Sequence, residues 1–405
     1  MQKTTVAIVG AGQAGLSMSR ALSALSVDHV VLERGEIGNA WRTQRWDSVR
    51  MLTPNWANQL PGTQSGRADP DGYMRASEFA DLLTEYARQQ SAPVIPDCEV
   101  GRVRRAPNGY VLETSHGAFM SDALVMATGA ASLPALPALA RAVPTHITQI
   151  TPDRYRNPDD VPGRHVLVVG ASASGVQIAR ELQLAGRQVT LSVGTHMRLP
   201  RRYRGRDIEH WLTEIGLLDE RAEDIADLPR ARRLPSPQLM AGECVDLNAL
   251  QEIGVDIVGR LSDVRDGAGL FSGGLSALTA SADLKMDRTL DLVDAHLGRP
   301  DRADRPSPTR VPATPRLSLP LSSGAISTIV WATGFKPDFS WLDIDLTDRR
   351  GRLMHDRGVC PLPGLFVLGL PILRRRRSHH ISGAVQDAQD IAQILRSQLD
   401  ASRAA

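Results

Sequence analysis

Cysteine is scarce in this chain: three in 405 residues, Cys98, Cys244 and Cys360, with no CxxC or CxxxxC pair. That excludes a disulfide-relay oxidoreductase, and an odd, sparse count fits a reducing cytosol. Net charge is low at +2, so nothing points to nucleic acid. No run of about 20 apolar residues exists, so no membrane span is expected. The first apolar strand begins by Thr4, which leaves no room for a signal peptide, and a cytoplasmic location is the expectation. No metal is expected, and nothing excludes a homo-oligomer. What remains is 42% hydrophobic and 23% charged, the balance of a globular chain long enough for two domains.

Two glycine-rich turns dominate the rest. The first follows an apolar strand, Val6-Ala7-Ile8-Val9, and reads Gly10-Ala11-Gly12-Gln13-Ala14-Gly15. The second follows Val166-Leu167-Val168-Val169 and reads Gly170-Ala171-Ser172-Ala173-Ser174-Gly175, with serine in the place of the middle glycine. In such a turn the first glycine bends the chain off the strand and the second admits a pyrophosphate. The third lets the helix pack closely, with its N-terminal amides aimed at phosphate. The first turn leads into a helix-compatible run and a second strand, His29–Leu32, which ends at Glu33, 18 residues past Gly15. A carboxylate there suits ribose hydroxyls. A chain with two dinucleotide sites can pass electrons between them, so redox chemistry is the first expectation.

The second site ends differently. Its second strand, 188–193, runs into Gly194-Thr195-His196-Met197-Arg198 with no acid at the ribose offset. A carboxylate would repel a 2′-phosphate, whereas an arginine fork can grip it. NADPH is therefore expected over NADH, with Arg198 as phosphate ligand and Arg201 or Arg202 as substitutes. The alternative is a solvated basic turn.

Between and after the turns the chain has a readable order. A helix opens at Ser77-Glu78-Phe79, and strand patterns 99–104 and 110–114 flank Pro107-Asn108-Gly109. A buried strand closes in Ala127-Thr128-Gly129, and a Pro-punctuated stretch, 134–162, links to the second unit. A second such strand, 326–331, closes in Ala332-Thr333-Gly334. Residues 206–230 and 280–297 read as helical insertions, either capping the site or peripheral. An apolar strand, 364–371, precedes a final helix, 383–399, with Val385, Ala388, Ile391, Ile394 and Leu395 on one face.

The whole arrangement resembles the single-chain, two-dinucleotide flavoprotein monooxygenases. The residues that carry the likeness are the first glycine turn, Gly38-Asn39-Ala40-Trp41-Arg42, Arg45-Trp46-Asp47-Ser48-Val49-Arg50-Met51-Leu52-Thr53-Pro54, Tyr155-Arg156-Asn157-Pro158, and the closing Trp331-Ala332-Thr333-Gly334-Phe335. The resemblance implies an α/β protein of two Rossmann-like dinucleotide-binding domains, glutathione-reductase-like. A discontinuous FAD domain (1–147 and 336–405) would flank an NADPH domain (148–335) carrying the extra helices. It implies FAD on Gly10, Gly12, Gln13, Ala14, Gly15, Glu33, Arg34, Trp41, Arg42, Val100, Ala127, Thr128, Gly129 and Gly369. NADPH would lie on Gly170, Ser172, Ser174, Gly175, Arg198, Ala332, Thr333 and Gly334.

The chemistry implied is reduction of FAD by NADPH, reaction with O2 to a C4a-hydroperoxide, and transfer of one oxygen atom to a small organic substrate. Arg42, Thr53 and His380 are the catalytic candidates. Asn55 is an alternative to Thr53, His379 an alternative to His380, and Trp41 is either a flavin contact or a core aromatic. The run Arg374-Arg375-Arg376-Arg377 either attracts anions or is solvated. One departure stands out. In the family's FxGxxxHxxxY/F stretch, counted back from Tyr155, the other positions hold Thr145, Ile147 and Thr151. That keeps two rivals in view: a reductase or oxidase of the same fold that does not oxygenate, and a non-catalytic redox sensor.

Overall fold

A computed structural model describes residues 1–63, 69–299, 301–302, 304–321, 324, 326–349 and 351–404. Strand β1 (Gln2–Val9) is fully buried over its last four residues and delivers the chain to the first glycine turn. Helix α1 (Gln13–Ala24) leaves that turn and buries Leu16, Met18 and Leu22. The chain returns as β2 (His29–Leu32), and α2 (Asn39–Thr43) and α3 (Ala76–Gln89) follow. Strands β3 (Val94–Ile95), β4 (Val100–Ala106), β5 (Gly109–Thr114) and β6 (Gly117–Met126) complete the first unit's run.

These build a seven-stranded sheet ordered β3-β2-β1-β6-β5-β4, with Leu365–Val367 also pairing β6. Its β3-β2-β1-β6 portion is parallel and β6-β5-β4 antiparallel. Parallel strands leave the glycine turn and Glu33 at the same carboxyl edge, where an open α/β sheet binds ligand. The C-terminal helix Ile381–Ala404 closes this core with Ala384, Ala388, Ile391, Ala392 and Leu395 fully buried. Val385 and Ile394, expected on that face, are only partly buried.

The second sheet is five-stranded and parallel. Its order is Asp256–Val258, Gln188–Ser192, His165–Val169, Thr328–Trp331, Thr148–Ile150. The proline-rich stretch is thus more than a tether, because Thr148–Ile150 supplies the sheet's edge strand, where prolines on either side do no harm. Both chain crossings run through the Ala-Thr-Gly segments, and they pair with each other. Phe335–Lys336 lies antiparallel to Leu133–Pro134, Ala135 N–H donates to Gly334 O at 2.9 Å, and the Thr333 hydroxyl donates to Ala135 O at 2.8 Å.

The insertions form a satellite core of their own. Tyr203, Ile208, Trp211, Leu212 and Leu218 pack on Met286, Leu290 and Val293 of the long helix Leu275–Leu297. Within 206–230 the expected helix is broken. Ile208–Glu214 is α-helical, Leu217–Asp219 and Ala222–Asp224 are single 3-10 turns, and Leu228–Ala231 is one short helix. Gly216, in the left-handed region, ends the first piece.

Candidate functional site

The two glycine turns are the same device built twice. Gly10 and Gly170 sit at φ +106 and +108, and a methyl on either would lie 2.7 Å from Ala127 O or 2.3 Å from Ala332 O respectively. The alanine of each Ala-Thr-Gly crossing is therefore the neighbour that makes the first glycine obligatory. A methyl on Gly15 would lie 1.8 Å from Gly10 O, and one on Gly175 1.9 Å from Gly170 O. Those two are packing glycines. A methyl on Gly12, in contrast, would meet nothing within 4 Å and would project into open space at the start of α1. That is the cradle a pyrophosphate needs. In the second turn Ser172 and Ser174 are half-buried, and the Ser172 side chain makes no capping bond to the helix Ala173–Leu184.

A cleft of about 690 Å³ opens over the first turn. Gly10, Gly12, Gln13 and Ala14 form its floor, Glu33, Arg34 and Val100 one end, and Ala127, Thr128, Gly129 and Gly369 its sides. Gly369 approaches α1 so closely that a methyl there would lie 2.9 Å from Ala14 Cβ. Glu33 is 9% exposed, and its carboxylate accepts from Ala11 N at 2.7 Å and Gly35 N at 3.2 Å. Trp41 lines the cleft and also packs edge-on against Phe79, with ring centroids 5.0 Å apart.

The catalytic candidates stand elsewhere. Arg42 turns away from the cleft, donating to Asp81 at 2.9 Å and Thr84 at 3.3 Å on α3. Thr53 is tied within its own loop, its hydroxyl donating to Asn58 Oδ1 while Asn58 Nδ2 returns to Thr53 O at 2.9 Å. Asn55 is likewise a turn-former, bonded to Asp69 O and Met74 N. Of the histidine pair, His379 lines the cleft, whereas His380 sits 3.4 Å from Glu209 of the insertion. His379 lies exposed along the cleft. Desolvation by the surrounding chain, then His380, lower its pKa, so it is a neutral donor or acceptor near neutral pH.

Arg198 requires correction as a phosphate ligand. It is 3% exposed; Nε and Nη2 donate to Asp246 Oδ2 at 3.0 and 2.6 Å, and Nη1 donates to Asp283 Oδ1 at 2.7 Å. Its charge is spent locking the insertion to the second unit. Arg201 is buried too, donating to Leu52 O at 2.8 Å and to Asp207. Arg202 is exposed, but it borders a separate hollow of about 300 Å³ with Trp56, Tyr73 and His210. Nor is the four-arginine run solvated. Arg374 and Arg375 pair with Asp390, Arg375 also with Asp387, Arg376 with Glu220 and Arg377 with Asp219. Backbone bonds from Ala222 N to Arg374 O, and from Arg376 N and Arg377 N to Glu220 O and Leu218 O, stitch the insertion to the strand end beside His379. That placement brings 217–224 against the segment that leads to His379.

Sequence reasoning missed Arg45, whose guanidinium lies 4.9 Å over the Trp41 ring in the same cleft. Its spacing four residues after Trp41 was the available signal. It also missed Ser340 and Trp341, brought in by the second crossing, and Ser236, beside the short strand Pro237–Gln238.

Comparison with known proteins agrees with this geometry. The profile of a family described as pyridine nucleotide-disulphide oxidoreductase matches residues 7–214. A relative from Geobacillus kaustophilus, described as an uncharacterized CzcO-like oxidoreductase, is 30% identical over 388 residues, covering 95% of this chain and 96% of that one. The indole-3-pyruvate monooxygenase YUCCA4 of Oryza sativa subsp. japonica is 30% identical over 193 residues, covering 43% of this chain and 44% of that one. Among solved structures, a flavin-containing monooxygenase from Stenotrophomonas maltophilia superposes with a TM-score of 0.69 at 18% identity, covering 98% of this chain and 99% of that one. A bacillithiol disulfide reductase from Bacillus cereus superposes with a TM-score of 0.61 at 16% identity, covering 98% and 100%.

Proposed function

From a chain that belongs to the pyridine nucleotide-disulphide oxidoreductase family and has the fold of the single-chain flavin monooxygenases, we propose an FAD- and NADPH-dependent monooxygenase acting on a small organic molecule. In this reading 1–147 and 336–405 hold FAD, and 148–335 hold NADPH. One observation carries it: two equivalent glycine turns, joined by a paired double crossing, with one large cleft over the first. When bound, FAD supplies the redox chemistry, accepting a hydride from NADPH and passing two electrons to O2. One oxygen atom then goes to substrate and the other leaves as water.

The chain's own work is positioning. Gly12 leaves the phosphate cradle open, and Glu33 braces the turn through Ala11 and Gly35 while facing the ribose end of the cleft. Trp41 and Arg45 wall the middle of the cleft, and neutral His379 offers a hydrogen bond without charge. The insertion is stitched to the chain at 374–377, next to the cleft-lining His379. The free cysteines, two of them buried, argue against a dithiol acceptor within the chain.

The test is anaerobic addition of NADPH to the yellow protein, followed by isotopically labelled O2 with candidate amines, sulfides and ketones. Bleaching by NADPH and label in the product establish the reading. Bleaching followed by stoichiometric peroxide with every substrate class tried would favour a non-oxygenating reductase or oxidase. No bleaching would overturn the paired-cofactor reading.

A further inference from the structure

With Arg198 and Arg201 themselves buried and committed to Asp246, Asp283 and Asp207, the adenosine end of the second unit needs its cation from another place. The shared register of the two units locates that end. Gly10 N donates to Leu32 O and Glu33 N to Ile95 O; correspondingly, Gly170 N donates to Ser192 O and Val193 N to Val258 O. Val193 therefore occupies the station of Glu33, and the segment just past Val258 corresponds to the one just past Ile95. In the first unit that segment leads within a few residues to Glu99 and Val100, at the cleft's ribose end. In the second it is Gly259-Arg260.

This turn is built with care. Ser192 is 1% exposed; its hydroxyl donates to Gly259 O at 3.1 Å and accepts from Leu261 N at 2.8 Å, clasping the turn from both sides. Gly259 has no space for a side chain, since a methyl would lie 2.0 Å from Ser272 O, and Ser272 N donates to Arg260 O at 2.9 Å. The backbone of Arg260 is thus fixed while its side chain is exposed. The stem lies against Gly194, with Arg260 Cγ 3.9 Å from the place a methyl there would take. Among the described residues the guanidinium has no hydrogen-bond or ion-pair partner, in a protein that pairs most of its buried arginines.

We propose that Arg260 recognises the adenosine 2′-phosphate of the pyridine nucleotide, and that it replaces the cation expected directly after the second strand. The proposal rests on the NADPH reading above. A planar fork with open donors, beside an uncharged Val193 and a glycine that keeps the approach clear, is suited to a phosphate dianion.

Calorimetric titration of the full-length, flavin-loaded protein with adenosine 2′,5′-bisphosphate and with adenosine 5′-monophosphate tests it. For Arg260→Ala, affinity for the bisphosphate is expected to fall on the order of tenfold or more. Affinity for the monophosphate, flavin content and melting temperature should hold, and Arg260→Lys should recover part of the loss. Equal loss on both ligands, or no loss, overturns the role of Arg260. If the unaltered protein itself fails to prefer the bisphosphate, the NADPH reading falls instead.

Discussion

Val193 stands in the second nucleotide-binding unit at the station Glu33 holds in the first, each receiving the chain one residue after the carbonyl that binds the turn's leading glycine. One carboxylate present and one absent is the main chemical difference between two otherwise matched cradles. It is the basis for expecting FAD at one and a 2′-phosphorylated nucleotide at the other.

Glu33→Ala leaves the amides of Ala11 and Gly35 without their acceptor and removes a carboxylate from the cleft. Purified variant is expected to carry a small fraction of the wild-type flavin, read from visible absorbance per protein. Retention of full flavin would remove Glu33 from the binding site.

Gly12 and Gly15 separate binding from folding. An alanine at Gly12 meets nothing within 4 Å, so Gly12→Ala should melt as the wild type does while losing flavin. An alanine at Gly15 collides with Gly10 O, so Gly15→Ala should be destabilised by about 1–3 kcal/mol, as overpacked cores are. Denaturant melts with flavin quantitation check both.

Arg198→Ala is a stability experiment. It strands the carboxylates of Asp246 and Asp283, one of them nearly buried, and breaking a buried pair this way costs about 3–5 kcal/mol. The expected result is a lowered denaturation midpoint, with the NADPH-to-NADH preference of the folded fraction unchanged. A lost preference at unchanged stability would return Arg198 to the phosphate.

Acid should destabilise the fold in a defined window. Burial first, then Arg232, push the His355 pKa from 6.5 down to about 4. The unfolded chain therefore takes up this proton before the folded one does. The stability it contributes is present above about 6.5 and is lost as pH falls through about 4. Asp387, raised to about 6 by burial, opposes. Melting temperatures across that range should drop less steeply for His355→Gln than for the wild type; identical slopes would show that another group carries the acid limb.

Local pattern was enough to find both cradles, because a strand, a glycine turn and a helix are contiguous in sequence and sterically unforgiving. The roles of Gly10, Gly15, Gly170 and Gly175, and of Glu33 at the strand end, follow from spacing alone. So do the two Ala-Thr-Gly crossings, although their pairing with each other does not. Where a long side chain points was not legible. Arg42 and Arg198 are expected at cofactor or substrate and 374–377 at anions or in solvent, but Arg42 pairs with Asp81, Arg198 with Asp246 and Asp283, and the run with Asp387, Asp390, Glu220 and Asp219. A guanidinium withdrawn from water must be paired, and for Arg198, Arg376 and Arg377 an acid that pairs it arrives only when the insertions dock. Docking of the insertion holds His380 to Glu209 while His379 lines the cleft, the second crossing brings Trp341 to it, and among the described residues Arg260 stays exposed and unpaired. Sequence determined where the backbone must bend to admit phosphate; tertiary packing decided which charges remained free to meet it.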